Sequence, residues 1–200
     1  DQPLPQLESE LTELTRDRQL ALVLPCHGGD LGRPALAHIC EELKSAKWLS
    51  QIIVCINGVD AAGAEAAREF FRRLPQPLSL LWTDDPKLQP FIAELLGCAP
   101  SEIPYGKGLN VWAAFALAYT QPQIQTVATQ DCDVSSFRRG NLARMCYACV
   151  HPQLGYHFAK MYYSRVTDRL YGRVSRLFLP PLLQAVLRLA GHRPLLDRPD

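Results

Sequence analysis

The stretch LALVLPC, Leu20–Cys26, decides the fold. Every position is apolar, and the run stops at the loop HGGDLGRP. A strand with one wet face alternates polar and apolar residues; a continuous apolar run is the pattern of a strand buried on both faces, as in a parallel sheet. SQIIVCIN (Ser50–Asn57) repeats the pattern, and PLSLLWTD (Pro77–Asp84) contains a third strand. QTVATQ (Gln125–Gln130) reads as a fourth and LGYHFAKMYYSR (Leu154–Arg165) as a fifth.

Helical segments fall between them. ALAHICEELKSA places Leu36, Ile39 and Leu43 on one side, and AAGAEAAREFFRRL is a second helix. LNVWAAFALAYTQ is strongly apolar, and FRRGNLARMCYACV follows the fourth strand. The segment from Asp84 to Gly108 reads as a long polar connection. LESELTELTRDRQ makes residues 1–18 an N-terminal helical extension, and GRVSRLFLPPLLQAVLRLA is helical on both sides of a break at Pro180–Pro181. Strands alternating with helices predict an α/β chain with a mostly parallel sheet flanked by helices.

The 200 residues suffice for one domain with a real core. A net charge of +1 does not advertise a nucleic-acid partner. No run approaches the roughly 18 apolar residues that span a bilayer. The acidic, polar start is unlike a signal peptide. Seven scattered cysteines read as reduced thiols in the cytoplasm, and the Cys146/Cys149 pair as small buried side chains rather than a zinc site.

In parallel sheets ligands lie at the carboxyl ends of the strands. The residues to inspect are therefore Cys26–Asp30, Asn57–Asp60, Asp84–Asp85 and Asp131–Asp133. Strand alternation predicts that Asp131 and Asp133 face one ligand while Cys132 turns inward. Two hard oxygen donors suit Mg²⁺ or Mn²⁺ shared with substrate phosphates; the same acids also read as solvated loop residues or a cap for the next helix. Pro104-Tyr-Gly-Lys-Gly108 precedes a helix, where glycines, a helix N-terminus and Lys107 favour an anion. Arg173 and Ser175 make a second anion clamp near a helix start. Alone, each of these also reads as an ordinary helix entry with exposed basic residues. His27 is a candidate ligand contact, whereas His38, His151 and His157 read as ordinary core or surface histidines.

Taken in order, LPC, VCING, YGKGLNVW, TQDCDV, FAKMYYSR and GRVSRLFLPPLL resemble the glucosyl-3-phosphoglycerate synthases, retaining glycosyltransferases of the GT-A fold, over roughly Ala21 to Leu187. GRVS…PLL is the most specific piece. The resemblance implies a Rossmann-like GT-A domain that moves glucose from a UDP- or GDP-sugar to 3-phosphoglycerate. It assigns Pro25, Cys26, His27, Asp30 and Asn57 to the nucleotide, and Lys107 and Asp131 to the donor. Asp133, with Asp131, would hold Mg²⁺ or Mn²⁺. Gly172, Arg173 and Ser175 would bind the acceptor, with Ser175 in place of the family's threonine. No general base is assigned, and a homodimer is an assembly the reading admits. The family's Glu-rich first loop reads CHGGD here, with Gly29 at a Glu position and Asp30 beside it. The family's later metal-binding histidine is expected beyond this chain, since His192 comes too early. The alternatives are a GT-A transferase with another acceptor and a non-catalytic nucleotide-binding relative.

Overall fold

A computed structural model describes residues 2–161 and 179–189. The chain divides into two compact units, Asp1–Ala159 and Lys160–Asp200. The first holds a four-stranded sheet of β1 (Gln19–His27), β2 (Gln51–Asn57), β3 (Leu78–Trp82) and β4 (Ile124–Thr129). The order is β3-β2-β1-β4, and every pairing is parallel. With helices on both faces, this is the Rossmann-like arrangement of a GT-A domain.

The apolar runs are buried on both faces, as their composition requires. Leu20, Leu22, Leu24, Ile52, Val54 and Ile56 face one layer, formed by α1 (Leu4–Leu14), α2 (Pro34–Leu43), α3 (Ala61–Phe71) and α6 (Arg139–Val150). Ala21, Val23, Ile53 and Cys55 face the other, where α5 (Lys107–Tyr119) presents Ala113, Ala114 and Ala118. Small side chains there let the α5 backbone lie close to the sheet.

The segment from Asp84 to Gly108 is not a plain connection: it contains α4 (Gln89–Leu96). Pro90 lies in its first turn, where the missing N–H costs nothing, and Ile92 and Ala93 supply the buried side. The short apolar stripe was obscured by polar neighbours. The expected fifth strand is absent over 154–161, which forms turns and irregular backbone; 162–165 lie outside the described residues. Here Gly155 takes a left-handed conformation and Leu154, Tyr156 and Phe158 are exposed, so no buried face sustains a strand. In the second unit, α7 (Leu179–Leu189) carries Pro180 and Pro181 in its first turn, where no intrahelical N–H bond is lost.

The N-terminal helix is part of the core. Leu7 and Leu11 are buried. Glu8 accepts from Arg139 Nε at 2.6 Å and from Trp48 Nε1 at 3.2 Å. Glu10 accepts from the Tyr147 hydroxyl at 2.8 Å, the main reason its carboxyl is held below the ordinary 4.5. A depressed carboxylate stabilises the fold above its unfolded pKa and loses that contribution as pH falls through the folded value. Tyr147→Phe is therefore expected to lower the melting temperature at neutral pH, and the gap to the parent should close in acid. A gap that persists at low pH would place the tyrosine's contribution in packing instead.

Candidate active site

The strand order reverses direction between β1 and β4, and the carboxyl ends diverge there. The β1–β4 pairing ends at Val23 and Thr129, with Gln130 N donating to Val23 O at 3.0 Å. Pro25 faces the same side two residues later, where the ladder has already stopped and no N–H is needed. β1 continues beside β2 as far as His27 and Asn57. This opening is where ligands bind in doubly wound sheets.

The loop after β1 is self-supporting. Asp30 Oδ2 accepts from His27 N at 3.0 Å, and His27 Nδ1 accepts from Gly29 N at 3.0 Å. Asp30 also faces Arg33 at 3.5 Å. Asp30 thus shapes the loop that carries the exposed His27 ring. Gly58, at φ +71, passes beneath that ring, and its N–H donates to Asp84 Oδ2 at 2.6 Å. A methyl group on Gly28 would run into the Gly58 carbonyl oxygen and Val59. Two backbones this close accept no side chain, so Gly28→Ala is expected to destabilise by about 1–3 kcal/mol and to disorder the loop. Denaturant melts beside loop hydrogen exchange check this.

Beyond β4 the strand alternation expected for the acids does not apply: residues 131–133 lie in a turn after the strand has ended. The inside–outside order survives because Cys132 packs beside Cys26 in the core, leaving Asp131 half-exposed and Asp133 exposed. Neither acid caps α6. That helix starts after Arg138, and its Arg139 N–H is taken by Glu42 Oε2 of α2 at 2.8 Å.

Lys107 opens α5 after Gly106, whose φ of +117 favours glycine. No side chain caps this helix, so its first-turn N–H groups favour an anion. Lys107 Nζ lies 2.5 Å from Asp131 Oδ1. The structure therefore brings Lys107, Asp131, Asp133, His27 and the buried Asn57 to one end of the sheet. Gly172, Arg173 and Ser175 lie outside the described residues.

Asp131, paired with Lys107, and the exposed Asp133 offer two hard oxygen donors here, and among the described residues no group of three or more His, Cys, Asp or Glu that could hold a metal ion forms around them. Two carboxylates completed by water and substrate phosphates are the usual Mg²⁺ arrangement. His38 is satisfied by the Phe137 carbonyl at 2.9 Å. Cys146 is buried and its thiol is pushed up to about 12 by desolvation, the behaviour of a packing residue.

Sequence reasoning did not single out Asn110. It is buried and ties Cys26 O to Asn57 Oδ1. Its signal was one amide on the apolar side of LNVWAAFALA.

The glucosyl-3-phosphoglycerate synthase of Persephonella marina is 31% identical over 188 residues, which cover 94% of this chain and 47% of that protein. The chain is a relative of the glucosyl-3-phosphoglycerate synthases. The synthase of Methanococcoides burtonii is 26% identical over 185 residues, 90% of this chain and 45% of its own. The chain spans about half the length of these curated synthases. No family model matches. Among the described residues, no helix is long and apolar enough to cross a membrane.

Proposed function

We propose that the protein is a glycosyltransferase that moves glucose from a nucleotide diphosphate sugar to the 2-hydroxyl of 3-phosphoglycerate, with retention. The observation that carries the reading is the Lys107–Asp131 pair, with Asp133 beside it, at the opening between β1 and β4. Its support is the similarity to two synthases over most of this chain.

In this reading the loop from Pro25 to Asp30, with Asn57, cradles the nucleoside. Lys107, exposed and at an uncapped helix start, receives the diphosphate. Asp131 and Asp133 would hold Mg²⁺ or Mn²⁺, and the ion, when bound, would supply positive charge to offset that of the diphosphate. Charge stabilisation at that point is the largest contribution such a site can make. Gly172, Arg173 and Ser175 hold the carboxylate and phosphate of the acceptor. The acceptor oxygen forms the new bond to the anomeric carbon, the bond from that carbon to the diphosphate breaks, and the acceptor proton passes to the leaving phosphate. Seven free thiols fit a reducing cytoplasm.

Incubation with UDP- or GDP-glucose, 3-phosphoglycerate and Mg²⁺ tests this. The expected product is a phosphorylated glucosylglycerate with retained anomeric configuration. Transfer to another acceptor alone would replace the acceptor assignment, and no transfer from either donor would overturn the reading. Lys107→Ala is expected to slow transfer about 10²–10³-fold.

A further inference from the structure

The first turn of α5 reaches the carboxyl ends of all four strands. Lys107 pairs with Asp131, just beyond β4. One turn on, Asn110 is 1% exposed and every polar atom of its amide is engaged. Nδ2 donates to the Cys26 carbonyl at the end of β1 and to Asn57 Oδ1 at the end of β2, both at 3.0 Å. Oδ1 accepts from the Thr83 hydroxyl, just beyond β3, at 2.7 Å.

This wiring dictates which way round each amide lies. A backbone carbonyl can only accept, so Asn110 turns its NH₂ toward Cys26 and its oxygen toward Thr83. Asn57 must then offer its oxygen to Asn110, which leaves its own buried Nδ2 without a partner. An unpaired buried donor costs about 1–3 kcal/mol. A residue present only to fill space would resemble the alanines that follow at 113 and 114. A fully paired buried amide instead specifies one geometry.

We propose that Asn110 is a positioning residue for the donor pocket. It locks the ends of β1, β2 and β3 to the helical turn that carries Lys107, and so sets the spacing between the nucleoside cradle and the diphosphate-binding lysine. The inference rests on the donor-site reading above. It explains why a helix with an otherwise apolar inner face keeps one amide at the end of the sheet. It also ties β2 and β3, which β1 separates from β4 in the sheet, to the helix whose Lys107 meets the turn after β4.

The test compares Asn110→Ser and Asn110→Leu with Thr83→Val. The serine is too short to hold Cys26 and Asn57 together, and it covers the case in which the leucine variant does not fold. Thr83→Val removes the β3 tie, and with it the hydroxyl's contact with the Ile56 carbonyl, but leaves the β1 and β2 ties that frame the nucleoside cradle in place. UDP and GDP are titrated with Mg²⁺ below the melting temperature of each variant, and amide hydrogen exchange is followed at Gly29 and Gly58. The expected result is at least about tenfold weaker nucleotide binding, or roughly 1.4 kcal/mol, in the Asn110 variants. Exchange should quicken at both glycines, while Thr83→Val stays within about threefold of the parent even where its melting temperature drops equally. Weakening that simply follows melting temperature across all three variants would overturn the proposal. If the parent binds neither nucleotide, the donor-site reading fails on its own and exchange decides: faster exchange confined to the Asn110 variants upholds the lock, and unchanged exchange removes it.

Discussion

Asp133→Ala is expected to abolish the metal-dependent part of nucleotide binding and to slow glucosyl transfer about 10²–10³-fold. Asp133 is exposed and makes no hydrogen bond among the described residues, so the fold has nothing to lose with it. Its removal should change unfolding free energy by no more than about 0.5 kcal/mol. A loss of this size in function with none in stability is the signature of a ligand-binding carboxylate. Asp133→Asn sharpens the test, because it keeps the shape and removes the charge that a hard cation needs. Calorimetry with UDP, with and without Mg²⁺ or Mn²⁺, reads the effect directly. Equal affinity in parent and variant would remove Asp133 from the metal site. Asp131→Ala differs in kind, because it also frees Lys107. With Lys107 freed to meet the diphosphate, its loss of nucleotide binding should be smaller than that of Asp133→Ala.

The largest expected loss of stability comes from Trp48→Ala. Trp48 is 1% exposed within the core layer under α1, and its indole N–H reaches Glu8. Truncation leaves a large cavity that the rigid sheet cannot fill, costing about 3–5 kcal/mol. That is a substantial share of the roughly 5–15 kcal/mol available to a domain. Glu8 would also lose one of its two anchors, so α1 should exchange amide protons before the sheet does. Trp48→Phe separates the contributions: it keeps most of the packing and loses only the bond to Glu8, worth about 1 kcal/mol. Urea unfolding of the three proteins, with exchange at α1 amides, checks both figures. A loss under about 1 kcal/mol for Trp48→Ala would mean that α1 is not bound into the core in solution.

The sheet was legible because its strands are buried on both faces, a condition that leaves no room for polar residues in Leu20–Cys26 or Ile52–Ile56. The strand ends were legible for the same reason: each apolar run stops where the protein meets solvent. His27, Asn57, Asp131 and Asp133 were found that way and Lys107 from the glycine-rich start of a helix, and the structure sets them at one end of the sheet. Over 154–161 the fifth strand was misread because apolar and aromatic residues near Tyr156 and Phe158 imitate a strand without a buried face to hold one. Helix α4 was missed because a two-turn helix offers too few apolar positions to outweigh the polar residues around it.

By itself, then, the sequence determined the parallel α/β architecture and the residue types gathered at the carboxyl ends of its strands. Periodicity and composition are local, and each of these features is written locally. The tertiary structure alone decided that Asp30 serves its own loop, that Lys107 reaches Asp131, that Glu42 rather than an aspartate caps α6, and that Asn110 ties three strands to one helix. Each is a meeting of side chains between elements or across a turn. Only the packing of helices against the twisted sheet brings such partners within bonding distance.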